Sequence, residues 1–181
     1  MKIEGDYLRY NKKLLKYTII GVLVVSVLGT LLHFAYGWSK ENQVVGLFTP
    51  VNESTWEHMK LLFFPMLIYV IFKSYHLEEE FPGVLWGGLT GVLAGTFAIP
   101  ILFYSYTGIL GKHITVVDIA IFFISVIIGF YISYLLAERE FSREYKIVVL
   151  AFVILLTIAF IVFTYNPPNA GIFMEPYEKI S

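Results

Sequence analysis

Between Pro50 and Lys60 the chain reads Asn52-Glu53-Ser54-Thr55-Trp56-Glu57-His58, a run that gathers two carboxylates, an imidazole, an amide and two hydroxyls. Glu53 and Glu57 are four apart, as are Ser54 and His58, so on a helix two adjacent faces each carry a polar pair. Imidazole and carboxylate are ligands for zinc, and a zinc ion with one open position brings the pKa of its bound water to about 7. His33 and Asp118 are further ionisable groups in otherwise apolar surroundings. The site these residues would build has His33, His58 and Asp118 as metal ligands and Glu53 and Glu57 as catalytic carboxylates, with Glu53 the general base. Asn52, Ser54, Trp56, His113 and Asn166 would line its pocket. A simpler account exists for part of this set. Ser54 and Glu57 match the S-x-x-E capping box that opens a helix, Lys60 could snorkel, and His113 could be a solvated loop residue.

The elements that must position these groups are spans of apolar residues. Of the 181 residues, 57% are apolar and 15% charged, with a mean hydropathy of +0.72. A soluble domain carries roughly 25% charge, so the composition predicts an integral membrane protein whose partner is the lipid bilayer. Thirteen Lys+Arg against fourteen Asp+Glu leave a net charge of −1, without the basic excess that holds a nucleic acid. The absence of cysteine excludes disulfides and thiolate metal sites. Hydrocarbon about 30 Å thick needs roughly 20 apolar residues as a helix. Stretches at about 17–38, 54–75, 82–106, 115–137 and 145–165 meet that requirement. The expected fold is an all-α five-transmembrane-helix bundle forming a single domain over 1–181.

Lys/Arg placement sets the expected orientation. Lys2, Arg9, Lys12, Lys13, Lys16, Lys73, Arg139, Arg143 and Lys146 fall on one side, and Lys40, Lys60, Lys112 and Lys179 on the other. This bias predicts the amino terminus inside, the carboxy terminus outside, and the polar cluster on the extracytoplasmic face. The basic flank before the first span looks like the start of a signal peptide, but the apolar run is too long and no small-x-small cleavage site follows. It is expected to remain as a helix. In the third span Gly83, Gly87, Gly91 and Gly95 recur at spacing four, a face that lets another backbone approach and could receive a packing partner. Ser125, Gly129 and Ser133 form a similar stripe in the fourth span. The third span is therefore expected to be central.

The run from Pro50 to Pro65, PVNESTWEHMKLLFFP, together with Phe163-Thr164-Tyr165-Asn166-Pro167-Pro168, resembles a family of small prokaryotic multipass membrane proteins of unknown function. The resemblance covers most of the chain. It implies a multipass protein of the prokaryotic cytoplasmic membrane and brings no activity with it. Tails in that family continue with a histidine after the two prolines, where this chain has Asn169. A second comparison is with zinc-dependent membrane hydrolases of the alkaline ceramidase type, to whose Ser-x-x-x-His element Ser54 and His58 are similar. Those enzymes have seven spans and a late His-x-x-x-His pair, neither of which occurs here.

Three functions stay open on these residues. One is a metal-dependent hydrolase or transferase acting at the outer leaflet, with zinc as the metal. Another is a subunit that binds or transports a small solute or ion, against which stands the scarcity of polar residues in the cytoplasmic halves of the spans. The third is a structural assembly partner.

Overall fold

The computed structural model describes residues 2–176, with side chains described from residue 12 onward. Regular structure among them is helical: α1 (Lys2–Trp38), α2 (Gln43–Gly46), α3 (Thr55–Leu77), α4 (Val84–Leu110), α5 (Thr115–Leu136) and α6 (Arg143–Tyr165), followed by a 3-10 turn at Gly171–Phe173. Five of these are long and apolar enough to cross a membrane. Their limits lie within a few residues of the expected spans, except that α1 begins at Lys2, no proline interrupting the basic flank.

Local chemistry sets the helix ends. The side chains of Ser54 and Ser142 accept the backbone N–H of Glu57 and Tyr145, capping α3 and α6. Gly111 ends α4 in the left-handed region, at φ 69°. Two prolines lie inside helices, Pro65 in α3 and Pro100 in α4. Pro65 has no N–H to give the carbonyl of Leu61, and that oxygen is where α1 comes nearest. A Cβ on Gly29 would stand 2.6 Å from it, so a missing side chain and a missing hydrogen bond meet at one contact.

The centre of the bundle is α3 rather than the expected third span. Two thirds of its apolar window (67%) is buried, against 50% for α4 and 22% for α1 and α6. The difference follows from what α4 does with its glycines. Gly83, Gly87, Gly91 and Gly95 all face the end and the small-residue stripe of α5 within the same chain. A Cβ on Gly87 would lie 2.6 Å from Leu136 Cβ, one on Gly95 would lie 2.8 Å from the Ser125 carbonyl oxygen, and one on Gly91 would collide with the Gly129 carbonyl oxygen. The two helices form a backbone-to-backbone pair, and α3 fills the groove on its other side, where Val70 fits against Gly88.

Lys73 occupies a place that flank counting assigns differently. It is fully buried, with its ammonium 3.4 Å from Thr18 Oγ1 on α1 and 3.3 Å from Ser133 Oγ on α5. Lys60, counted on the opposite side, is also fully buried. Removing one lysine from each side leaves the Lys/Arg bias with the same sign.

Replacing Gly91 with Leu is expected to destabilise the protein by about 1–3 kcal/mol or more, because the side chain must push the α5 backbone away. Ile101→Ala on the exposed face of α4 should change stability by much less. Denaturant unfolding of the two variants in detergent, followed by circular dichroism, measures the difference, and equal stability would remove the close-packed pair.

Candidate metal centre

The polar run at the start of α3 is held in place by the connector that precedes it. After α1 the chain reverses through Lys40 and Glu41, both at positive φ (56° and 60°), and enters α2, whose first N–H groups are capped by the Asn42 side chain. The connector then packs beside the first turns of α3 and is fixed there from below by Lys60. The Lys60 ammonium lies 2.7 Å from Glu57 Oε2, 3.1 Å from the Gly46 carbonyl, 3.4 Å from the Thr49 carbonyl and 2.5 Å from Thr164 Oγ1. Thr164 gives its own proton to the Phe160 carbonyl, so it meets the lysine as an acceptor. Glu57 completes the tie by accepting the Val51 N–H at 3.1 Å. Tyr165 at the end of α6 donates to the Gln43 carbonyl at 2.7 Å. Six residues into α3, Lys60 sits about 7.5 Å below the helix start at 1.5 Å per residue, so the connector dips into the bundle to reach it.

Only half of the expected capping box forms. Ser54 caps Glu57, but Glu57 does not return to the Ser54 N–H, which is taken instead by Asn52 Oδ1 at 3.0 Å. That Asx turn projects Glu53 toward α1 and His58. Glu53 Oε2 lies 3.3 Å from His58 Nε2 and 3.8 Å from His33 Nε2, and the two Nε2 atoms are 3.4 Å apart. One ligand atom from each of the three residues thus falls within 4.8 Å of the others. Zinc–nitrogen and zinc–oxygen bonds of about 2.0–2.1 Å in a tetrahedron place neighbouring ligand atoms about 3.3–3.4 Å apart. Two edges of the triad have that length and the third is slightly long.

The imidazole of His58 is oriented for this role. Its Nδ1 sits 2.9 Å from the Ser54 carbonyl oxygen, so Nδ1 carries the proton and donates it there, leaving the Nε2 lone pair facing Glu53 and His33. When the rings are protonated, the His58 Nε2–H is given to Glu53 instead, and that bond holds the Glu53 carboxyl below the usual glutamate range, with partial burial opposing the shift and the charges of His58 and His33 reinforcing it. Side-chain exposures of 35% for His33, 28% for His58 and 63% for Glu53 leave the triad open on one side.

The remaining expected site residues occupy other positions. Asp118 binds Tyr106 through Oδ1 and His113 Nδ1 through Oδ2, the latter at 3.2 Å, so Asp118 and His113 pair with each other at the start of α5. Glu57 is buried against Lys60. Trp56 is buried among Phe160, Phe163 and Phe173, with ring centroids 4.8, 5.8 and 4.9 Å away. Asn166 is the exposed residue that ends α6. Thus Glu53 takes the place among the ligand atoms that was expected of Asp118.

Two residues at this end escape a reading by residue type. Lys60 appears in the sequence as an interfacial snorkel, and only its i,i+3 spacing from Glu57 hints at a buried pair. Glu175 lies far along the chain, yet its carboxylate accepts the Glu53 N–H at 3.5 Å, and no local signal foretells that return.

A family of unknown function, DUF6512, matches residues 7–179. No curated protein and no solved structure matches the chain.

Removing one partner of a buried ion pair leaves an uncompensated charge, which costs about 3–5 kcal/mol. Glu57→Ala should therefore destabilise the protein by that amount, whereas the double variant Glu57→Leu, Lys60→Met should recover most of it. Unfolding of both in detergent checks the pair, and a double variant no more stable than the single one would show that the connector needs the charges themselves.

Proposed function

We propose that this chain, which belongs to the DUF6512 family, is a membrane-embedded metal protein that acts as a metal-dependent hydrolase or transferase at the extracytoplasmic face. The observation that carries the reading is the spacing of His33 Nε2, Glu53 Oε2 and His58 Nε2, 3.3 to 3.8 Å apart. Such a set forms one face of a tetrahedron around a zinc-class ion and leaves the fourth position for water or substrate. The bound ion would supply a Lewis acid and an acidified water at that position. The chain would contribute two neutral imidazoles from α1 and α3, the Glu53 carboxylate, and the Ser54 carbonyl that keeps the ring of His58 in its ligating tautomer. Glu53 is then a ligand rather than the general base, Glu57 anchors the connector, and Asp118 pairs with His113.

Transport is less well supported than chemistry at the surface. Buried polar groups do recur deeper along the contact of α1, α3 and α5, at Lys73, Thr18 and Ser133. Between the two levels, however, the contact is filled by rings. A Cβ on Gly29 would meet Phe122, and one on Gly21 would meet Phe130 and Tyr69, so aromatic rings cross the contact at both points.

Metal analysis of protein purified without chelator should find about one zinc-class ion per chain, lost in His33→Ala and His58→Ala and kept in His113→Ala. Metal-free wild-type protein that takes up no zinc in dialysis would end this reading. The membrane orientation has its own test, made simple by the absence of native cysteine. In intact cells Lys112→Cys, between α4 and α5, should react with an impermeant thiol reagent and Glu140→Cys, between α5 and α6, should not. The opposite pattern would put the triad on the cytoplasmic face.

A further inference from the structure

Beyond α6 the chain does not leave the bundle. Pro167 and Pro168 end the helix, and the segment that follows folds back over the start of α3. Phe173 packs on Trp56 and Phe163, Tyr104 donates to the Gly171 carbonyl at 3.3 Å, and Glu175 reaches the Glu53 N–H. This strap borders a half-open cavity of about 190 Å³ lined chiefly by Thr55, Phe103, Tyr104, Met174 and Glu175, of which Thr55 is buried and Tyr104, Met174 and Glu175 are exposed. Against about 30 Å³ per water molecule, it has room for a ligand of several heavy atoms.

The lining has an uneven chemistry. Among the described residues its one charged group is the Glu175 carboxylate, and no described lysine, arginine or histidine lines it. The weak contact with the Glu53 N–H engages one of its oxygens, and among the described residues no cation pairs with it. The hydroxyl of Thr55, on a buried residue, also has no partner among the described residues. Around these stand two aromatic rings and a thioether. A carboxylate beside aromatic faces, without a basic residue, suits a cation whose charge is spread over methyl or methylene groups. An anion would meet the like charge of Glu175, and a small metal ion would find one carboxylate and apolar walls.

We propose that the cavity beside the 166–176 strap is a binding site for an alkylammonium group. Glu53 joins it to the triad, with its backbone N–H turned to Glu175 and its carboxylate turned to the two imidazoles. As the substrate class of the hydrolase, an ammonium-bearing molecule rests on the metal reading; as a binding site, the cavity stands without it. The ammonium is supplied either by a free amine or by the headgroup of a zwitterionic lipid.

The test uses the full chain in an uncharged maltoside detergent, with tetramethylammonium chloride as probe and sodium chloride making up constant ionic strength. The thermal midpoint of the wild type should rise saturably with the probe, and Glu175→Gln, on an exposed side chain, should weaken the apparent affinity at least tenfold while keeping its zinc content. Phe103→Leu should weaken it several-fold. Absence of a saturable rise in the wild type, or an equal rise in Glu175→Gln, overturns the inference, even when zinc is bound stoichiometrically. A rise in protein that binds no zinc upholds the site and removes only the metal reading. Repeating the titration in phosphatidylglycerol and in phosphatidylcholine nanodiscs names the source: a response suppressed only by phosphatidylcholine identifies the lipid headgroup, and one present in both identifies a free amine.

Discussion

The architecture around the start of α3 depends on one buried ammonium. Lys60 sits inside the bundle with no water to solvate it, and a charge so placed persists only where other groups supply its hydration shell. It draws that shell from three parts of the chain: Glu57 on its own helix, the carbonyls of Gly46 and Thr49 in the connector, and the Thr164 hydroxyl on α6. Meeting those partners pulls the connector inward and turns Glu57 away from the cap. That choice leaves the Ser54 N–H to Asn52 and so sets the direction in which Glu53 leaves the chain. The geometry of the triad is thus fixed from beneath, by a residue that contributes no ligand to it.

The triad also gains from where its members stand. His33 and His58 project from helices whose contact is unusually close, because Pro65 exposes the Leu61 carbonyl and Gly29 has no side chain to keep α1 away from it. The α4–α5 pair stiffens the opposite side through its interlocked glycines. Two side chains on long helices and one on an anchored loop hold the three polar atoms in a fixed geometry.

Much of this could be read from residue types and spacing, and the limits are instructive. Hydropathy located the five long helices, because burial against lipid or protein demands the same apolar run. Depth along those helices brought His33 to the level of His58. What escaped was the identity of partners. Asp118 looked like a ligand because a carboxylate one turn inside a span needs company, yet it finds that company in Tyr106 and His113. Glu57 looked catalytic or capping because spacing along a helix cannot reveal a lysine turned inward below it. Lys73 looked like a flank charge because nothing within its own helix signals Thr18 and Ser133, which arrive from α1 and α5. The strap was invisible for the same reason: Phe173 meets Trp56 across more than a hundred residues of chain.

The polarity of α3 has a consequence for how the protein is made. It has the lowest mean hydropathy of the five long helices, 1.3 against 3.2 for α6, because it carries Glu57, Lys60 and Lys73. A charge opposes transfer of an isolated helix into lipid by up to roughly 2.5–3.5 kcal/mol at the helix centre and by less toward the ends, where these three stand. The partners that offset those terms lie on both sides in synthesis order: Thr18 and the connector precede α3, but Ser133 and Thr164 emerge only later. The most buried helix therefore finds part of its polar partners only in segments that are synthesised after it.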